Sequence, residues 1–410
     1  MHLISVSVVL FFFTINCAYA QVSKIAHKRI KTLTSEKFFG RGYVKGGDSI
    51  AAVYLSKQFK KVGLQPFGEN YFQPFYMDVN TFPHQMQVNV SGVNIKPGLQ
   101  FIVDAAACSA TGRYSLYFVS DSVLPQPEPN LAYVIKKKFF ATPQNKSDLK
   151  SWLQKIPDGS GIIYIEAEKL TWTVATNQNK YWGISVLESA WPSTADSITI
   201  NISAQFKHNY KTQNVIGYLP GSSDTCLVVT AHYDHLGGMG KDVFFPGAND
   251  NASGVSMLLS LATHFANLHE RKYSMLFIAF AAEEAGLIGS KHYVENPVMP
   301  LSMIRFLINL DLLGTGDEGI MVVNATQYPS DFNLLDSINT SNAWLPAVRK
   351  RGKAANSDHY WFSEAGVPAF FIYTLGGITA YHDVKDVAKT LPLTKYDDVF
   401  KLIKTFMHSF

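Results

Sequence analysis

An α/β fold with a mostly parallel sheet flanked by helices is predicted from three features of the 410-residue chain. From about residue 212 onward, short apolar runs alternate with helical stretches. The runs are continuously apolar, as in Leu227-Val-Val-Thr-Ala231 and Met275-Leu-Phe-Ile-Ala-Phe280, which suits strands covered on both faces. His and carboxylate residues follow the ends of those runs, where open α/β sheets bind ligands. Composition agrees: 47% apolar and 17% charged residues supply a buried core and exclude a disordered chain. A net charge of +4, with Lys136-Lys137-Lys138 as the compact basic block, argues against nucleic acid as the partner.

The elements follow in order. Residues 4–15 are an apolar run too short to span a bilayer, which needs ~20 residues. The run precedes Ala18-Tyr19-Ala20, so residues 1–20 read as a secretory signal cleaved before Gln21. Cys17 offers a bacterial lipoprotein as the weaker alternative. Secretion or a periplasmic location is expected, with no stable membrane insertion. Residues 21–78 form the N-terminal part of the main domain. Helices are predicted at 23–35 and at 48–62, the second stopped by Gly63. Residues 79–208 read as an inserted β-rich module, with strand-like runs such as Gly161-Ile-Ile-Tyr-Ile165 and Ser197-Ile-Thr-Ile-Asn-Ile202 between turn-rich pieces. Its aromatics Trp172, Tyr181, Trp182 and Trp191 are expected in a core. Residues 209–410 complete the main domain. Strands are predicted at 214–218, 225–231, 274–281, 304–310, 319–324 and 368–374. Helices are predicted at 252–267, 286–294, 330–342, 357–365 and 394–408. Cys226 is expected as a buried free thiol.

The strand ends carry the chemistry. His232 and Asp234 follow one run, Glu283 and Glu284 another, Asp311 a third, and His382 lies beyond a fourth. Asp250 sits in Gly247-Ala-Asn-Asp-Asn-Ala-Ser-Gly254 ahead of a helix. Five carboxylates in one cleft repel one another and call for cations. Two His and three carboxylates can hold two zinc ions with one carboxylate bridging, as paired metals in hydrolytic sites require. Taken singly, each residue also has a plain structural role: Asp250 as a helix cap, Asp311 in a turn, Glu283-Glu284 as a solvated pair. Their joint placement on one rim is what those roles leave unexplained. His264, His269, His292 and His359 lie in helical stretches and are read as structural or solvent-exposed.

At these residues the chain resembles the co-catalytic zinc aminopeptidases of the bacterial leucyl aminopeptidase type, a family that includes glutamate carboxypeptidase-type enzymes. The matching segments are Ala231-His-Tyr-Asp-His-Leu-Gly237, Gly247 to Gly254, Ala281-Ala-Glu-Glu-Ala-Gly-Leu-Ile-Gly-Ser290, Asn309-Leu-Asp311, Ser357-Asp-His359 and Tyr381-His382, with Gly40-Arg41-Gly42 near the N-terminus. The resemblance implies a zinc exopeptidase fold and a peptide substrate with a free N-terminus. His232 and Asp311 would bind one zinc, Glu284 and His382 the other, and Asp250 would bridge. Glu283 would be the general base, and Asp234 would orient His232 through its second nitrogen. The inserted segment stands where relatives carry a protease-associated module.

Two departures matter. The stretch Arg351 to Asn356 lacks a tyrosine that some relatives use on the oxyanion. Asp383-Val-Lys-Asp386 keeps an aspartate but not the proline of many relatives. Glutaminyl cyclase with a single zinc, a carboxypeptidase or dipeptidase, and a non-catalytic binding relative are the alternatives. The filled ligand set disfavours the last.

Overall fold

A computed structural model describes residues 22–410, so the expected signal lies outside the described residues. The apolar runs become the sheet. Its strands are β1 (Phe72–Thr81), β2 (Gln205–Leu219), β3 (Ser223–His232), β4 (Tyr273–Phe280), β5 (Ile304–Leu310), β6 (Ile320–Val323), β7 (Val348–Lys350) and β8 (Ala369–Thr374), with a two-residue strand Gln65–Pro66. Their order is β2-β4-β3-β5-β8-β6-β7, and both β1 and Gln65–Pro66 pair with β2. The central four, β4, β3, β5 and β8, are parallel. Antiparallel pairing sets in at both flanks, β2 on β4 and β6 on β8.

Alternate residues of the continuous apolar strands serve opposite faces, as period-2 geometry requires. Leu227, Val229 and Ala231 of β3 join a core shared with helices 22–33, Gly47–Val62, Gly254–Ala266, Pro329–Asn342 and Tyr396–His408. Cys226 and Val228 pack on the other face with Tyr293 and Phe362, from helices Ile288–Glu295 and His359–Glu364. Helix Tyr396–His408 buries seven side chains from Tyr396 to Met407, at roughly 1.5–3 kcal/mol for each large apolar one. Cys226 and Cys108 are free thiols, and burial pushes Cys226 up to about 12.

The inserted segment builds its own eight-stranded sheet. Strands Ala110–Phe118, Leu131–Lys136, Gly161–Glu166 and Trp182–Leu187 run parallel at its centre. Trp172 and Trp182 lie in its core, whereas Tyr181 and Trp191 are half-buried. One element differs from expectation: Pro143–Leu153 is a helix, capped by the Thr142 hydroxyl accepting from the Asn145 N–H. The helix buries only Trp152, so it has no apolar stripe to betray it. The β1–β2 ribbon, paired from Gln205 with Thr81 to Val215 with Phe72, connects the two sheets. Leu236, Met239 and Phe245, from the loop between His232 and Asp250, pack into the inserted sheet's core.

Candidate metal centre

Parallel strands end together, so their next residues converge. His232 is the last residue of β3, and Asp311 directly follows β5. Glu283 and Glu284 follow β4 after Ala281 and the left-handed Ala282. His382 lies in the loop after β8 and is itself left-handed, with φ 53°. Asp250 belongs to an irregular turn, Ala248–Ser253, ahead of helix Gly254–Ala266. The predicted helix start at 252 is thus displaced. Asp250 caps no helix; it has extended backbone, and its peptide bond to Asn251 is cis.

The side chains meet. Asp250 Oδ1 stands 3.3 Å from His232 Nε2, and Oδ2 stands 3.0 Å from His382 Nε2. Asp311 Oδ1 lies 3.3 Å from His232 Nε2, and Glu284 Oε2 lies 3.1 Å from His382 Nε2. Two ligand groups result, His232–Asp250–Glu284 and His232–Glu283–Asp311, each with donor atoms within 4.8 Å of one another. Donors held ~2.0–2.2 Å from a tetrahedral ion stand roughly 3.3 Å apart, so these residues fit a metal. Asp311 Oδ1 is buried without a hydrogen-bond partner, as an oxygen reserved for a cation would be.

Surrounding bonds leave His232, Asp311, Glu284 and His382 one free donor atom each, and Asp250 both of its oxygens. Thr230 Oγ1 donates to Asn309 Oδ1 (2.7 Å), Asn309 Nδ2 to Ser357 Oγ (2.8 Å), and Ser357 Oγ to Asp311 Oδ2 (3.2 Å). His235 Nδ1 binds Glu284 Oε1 at 2.7 Å, leaving Oε2 to face His382. Asp386 accepts from the Asn249 and Asp250 N–H groups at 2.8–3.0 Å. Asp234 differs from expectation in its contacts. His232 Nδ1 meets the main-chain carbonyl of Asp234 at 3.2 Å, and the carboxylate stands 3.8 Å away. That carboxylate accepts instead from the Tyr43 hydroxyl at 2.9 Å and the Glu283 N–H at 3.2 Å. It therefore anchors the turn that carries the glutamate pair.

Electrostatics follow from burial. Burial pushes the Glu283 carboxyl well above its usual range; His232 opposes this, and Glu284, Asp358 and Asp311 add to it. Burial would lower the His382 imidazole, but Glu284 and Asp250 together carry it up to about 11. The carboxylates thus hold positive charge firmly between them. Among the expected structural histidines, His264 pairs with His408, His292 stacks on Phe75, His359 lies tilted against Phe371, and His269 is exposed.

Sequence reasoning missed His235 and the role of Arg41. His235 is wholly buried with Nε2 unpartnered; its three-residue spacing from His232 was the available signal. Arg41, also wholly buried, donates to the carbonyls of Leu33, Tyr233, Pro246, Gly247 and Asp250. Tyr381, half-exposed, stacks on His382 with ring centres 4.0 Å apart.

Residues 214–407 match the profile of peptidase family M28. This domain belongs to peptidase family M28. Aminopeptidase YwaD of Bacillus subtilis is 35% identical over 174 residues, covering 39% of this chain and 35% of that protein. A probable leucine aminopeptidase of Arthroderma otae is 29% identical over 217 residues, covering 50% of this chain and 59% of its own length. The matched stretches thus span about a third and under two thirds of these relatives. The fold of BSAP, a zinc aminopeptidase from Bacillus subtilis, superposes with a TM-score of 0.69 at 19% identity, covering 94% of both chains. Coverage that broad takes in the inserted sheet as well as the M28 domain.

Proposed function

We propose that the chain is an exported zinc aminopeptidase that removes N-terminal residues from peptides with two metal ions. The Asp250 carboxylate carries the reading. Its two oxygens face two different imidazoles at 3.3 and 3.0 Å, which suits a bridge. His232 and Asp311 would hold one ion, and Glu284 and His382 the other. Bound zinc supplies Lewis acidity and a water acidic enough to ionise near neutral pH. Glu283 lies within reach of His232 and Asp311, but an Asp250 bridge completes the pair without it, and its carboxyl is partly exposed in the cleft. With the metals bound, the Glu283 carboxylate would accept a proton from the attacking water and pass it to the leaving amine. Asp234 holds the Glu283 main chain in place, and Ser357 and His235 fix Asp311 and Glu284.

The aminopeptidase names of the relatives support the substrate class. A glutaminyl cyclase with one zinc would leave half of the Asp250 arrangement unused. Export rests on residues 4–20 and gives a mature chain beginning at Gln21. Among the described residues, no helix is long and apolar enough to cross a membrane.

The test uses the mature chain, a panel of unblocked dipeptides and tripeptides, and their N-acetylated twins. Cleavage of unblocked members only, abolished by chelator, with about two zincs per chain, is the expected result. Cleavage of acetylated tripeptides from the carboxyl end would replace it with a carboxypeptidase. Ammonia release from N-terminal glutamine with one zinc would replace it with the cyclase.

A further inference from the structure

Four of the five donors sit at strand ends or in a turn fixed by Asp386 and Arg41. His382 does not. Its loop, 375–395, contains neither strand nor helix. Asp386 ties the far side of the loop to the Asp250 turn, but what grips His382 itself comes from the inserted module. The Trp172 N–H donates to the His382 carbonyl at 2.9 Å, and His382 Nδ1 meets the Trp172 carbonyl at 3.0 Å. This second bond turns Nε2 toward Asp250 and Glu284. Lys169 grips the same loop on both sides of His382, through the Thr379 carbonyl at 2.8 Å and Asp383 at 3.1 Å.

The strap, residues 169–174, is fastened in turn to the module. The Trp172 indole is buried, stacks on Phe245 at 4.7 Å, and donates from Nε1 to the Val103 carbonyl at 2.8 Å. Just beyond the strap, the Ala175 carbonyl accepts from the Asn80 N–H at 2.9 Å. We infer that the inserted module is a working part of the metal centre, its Trp172 strap positioning His382 and so setting the affinity of the ion shared by His382 and Glu284. The inference rests on the two-metal reading above. His232 and Asp311 take nothing from the strap, so the other ion meets its effect only through the shared Asp250 carboxylate. Trp172 is a positioning residue: its backbone makes the contact and its indole holds the backbone there.

Loss of a partner behind a metal-bound histidine costs 10–100-fold in affinity. The test is a zinc titration of the full mature chain, resolved into two steps by competition with a chelator. Trp172→Ala is expected to weaken one step 10–100-fold and the other by far less. X-ray absorption of the variant loaded at both sites with excess zinc should report fewer imidazole ligands per zinc. Trp172→Phe keeps the stack and loses only the Val103 bond, so it should recover most of the loss. Two unchanged steps would overturn the inference, as would equal weakening of both, which marks a general loss of structure. If Trp172→Ala fails to fold, Lys169→Met decides, with the same single-step weakening expected and unchanged steps overturning. A wild-type chain that binds fewer than two zincs would instead refute the two-metal reading.

Discussion

At Glu283 and Glu284, adjacent residues receive opposite assignments because their partners differ. Glu284 has one oxygen bonded to His235 and the other facing His382. Glu283 is bonded through its main chain to Asp234 and leaves its carboxyl to the cleft. Glu283→Gln should therefore keep its full zinc content while activity falls by at least ~100-fold, as removal of a general base does. Near-normal turnover with normal metal would refute the role. The pair was legible in the sequence as two carboxylates; which one ligates was not, because that depends on His235, 49 residues away. A second residue-scale expectation concerns His264 and His408, whose Nε2 atoms lie 2.9 Å apart. Burial, aided by Lys404, depresses His264 to about 4 and lowers His408. The unfolded chain therefore takes up protons first. The stability held by the pair is full above the ordinary pKa near 6.5 and is lost as pH falls toward 4. Melting curves in chelator between pH 7 and 4 should show a smaller acid loss in His408→Phe, which keeps the packing on Phe265. Superimposable pH profiles would count against this pairing.

Among the elements, the Phe38–Gly42 segment shows how much a short irregular piece can position. Gly42 lies so close to the loop after His235 that a Cβ would come within 2.4 Å of Gly237 Cα. Backbone contact of that kind brings the Arg41 guanidinium among carbonyls from residues 33, 233 and 246–250. Burial lowers Arg41 only to about 10, since Asp250, Asp386 and Asp234 oppose the loss of charge, so it stays a cation. Arg41→Met leaves buried carbonyls without a donor and should cost at least about 3 kcal/mol. Urea unfolding of the chelated protein would measure it; a loss below about 0.5 kcal/mol, typical of surface substitutions, would contradict the role. Gly40-Arg41-Gly42 was visible in the sequence as a motif. Its purpose was not, because the guanidinium's partners are main-chain atoms that no residue type announces. The Pro143–Leu153 helix was missed for a related reason, its single buried residue giving no period to read.

Across the whole molecule, the two sheets share material at the metal site. Leu236, Met239 and Phe245 leave the loop between two ligands to enter the inserted sheet's core, and the Trp172 strap returns to His382. Zinc should therefore stabilise both sheets together. At free zinc ~100 times the dissociation constant, each site adds about 2.7 kcal/mol. Chelation should lower a single cooperative melting transition, seen alike by calorimetry and by tryptophan fluorescence of a Trp344→Phe, Trp361→Phe variant, whose remaining indoles all lie in the inserted segment. A transition of that sheet indifferent to chelator would show the two to be uncoupled.

The fold class and the ligand types were written in local patterns. Continuous apolar runs commit strands to a sheet covered on both faces, and parallel strands deliver their following residues to one rim. His232, Glu283, Glu284, Asp311 and, past a longer loop, His382 could thus be gathered by counting from strand ends, with Asp250 in the turn ahead of a helix, and the family motifs added which role each would take. Long-range contacts decided the rest: Asp250 turned to face two imidazoles, Asp234 bonded to the glutamate turn rather than chiefly to His232, Arg41 inside a ring of carbonyls, and His382 held by a module 210 residues away in sequence. Each of those depends on main-chain groups or orientations set by packing, and hydrophobic periodicity carries no record of where a carbonyl will point.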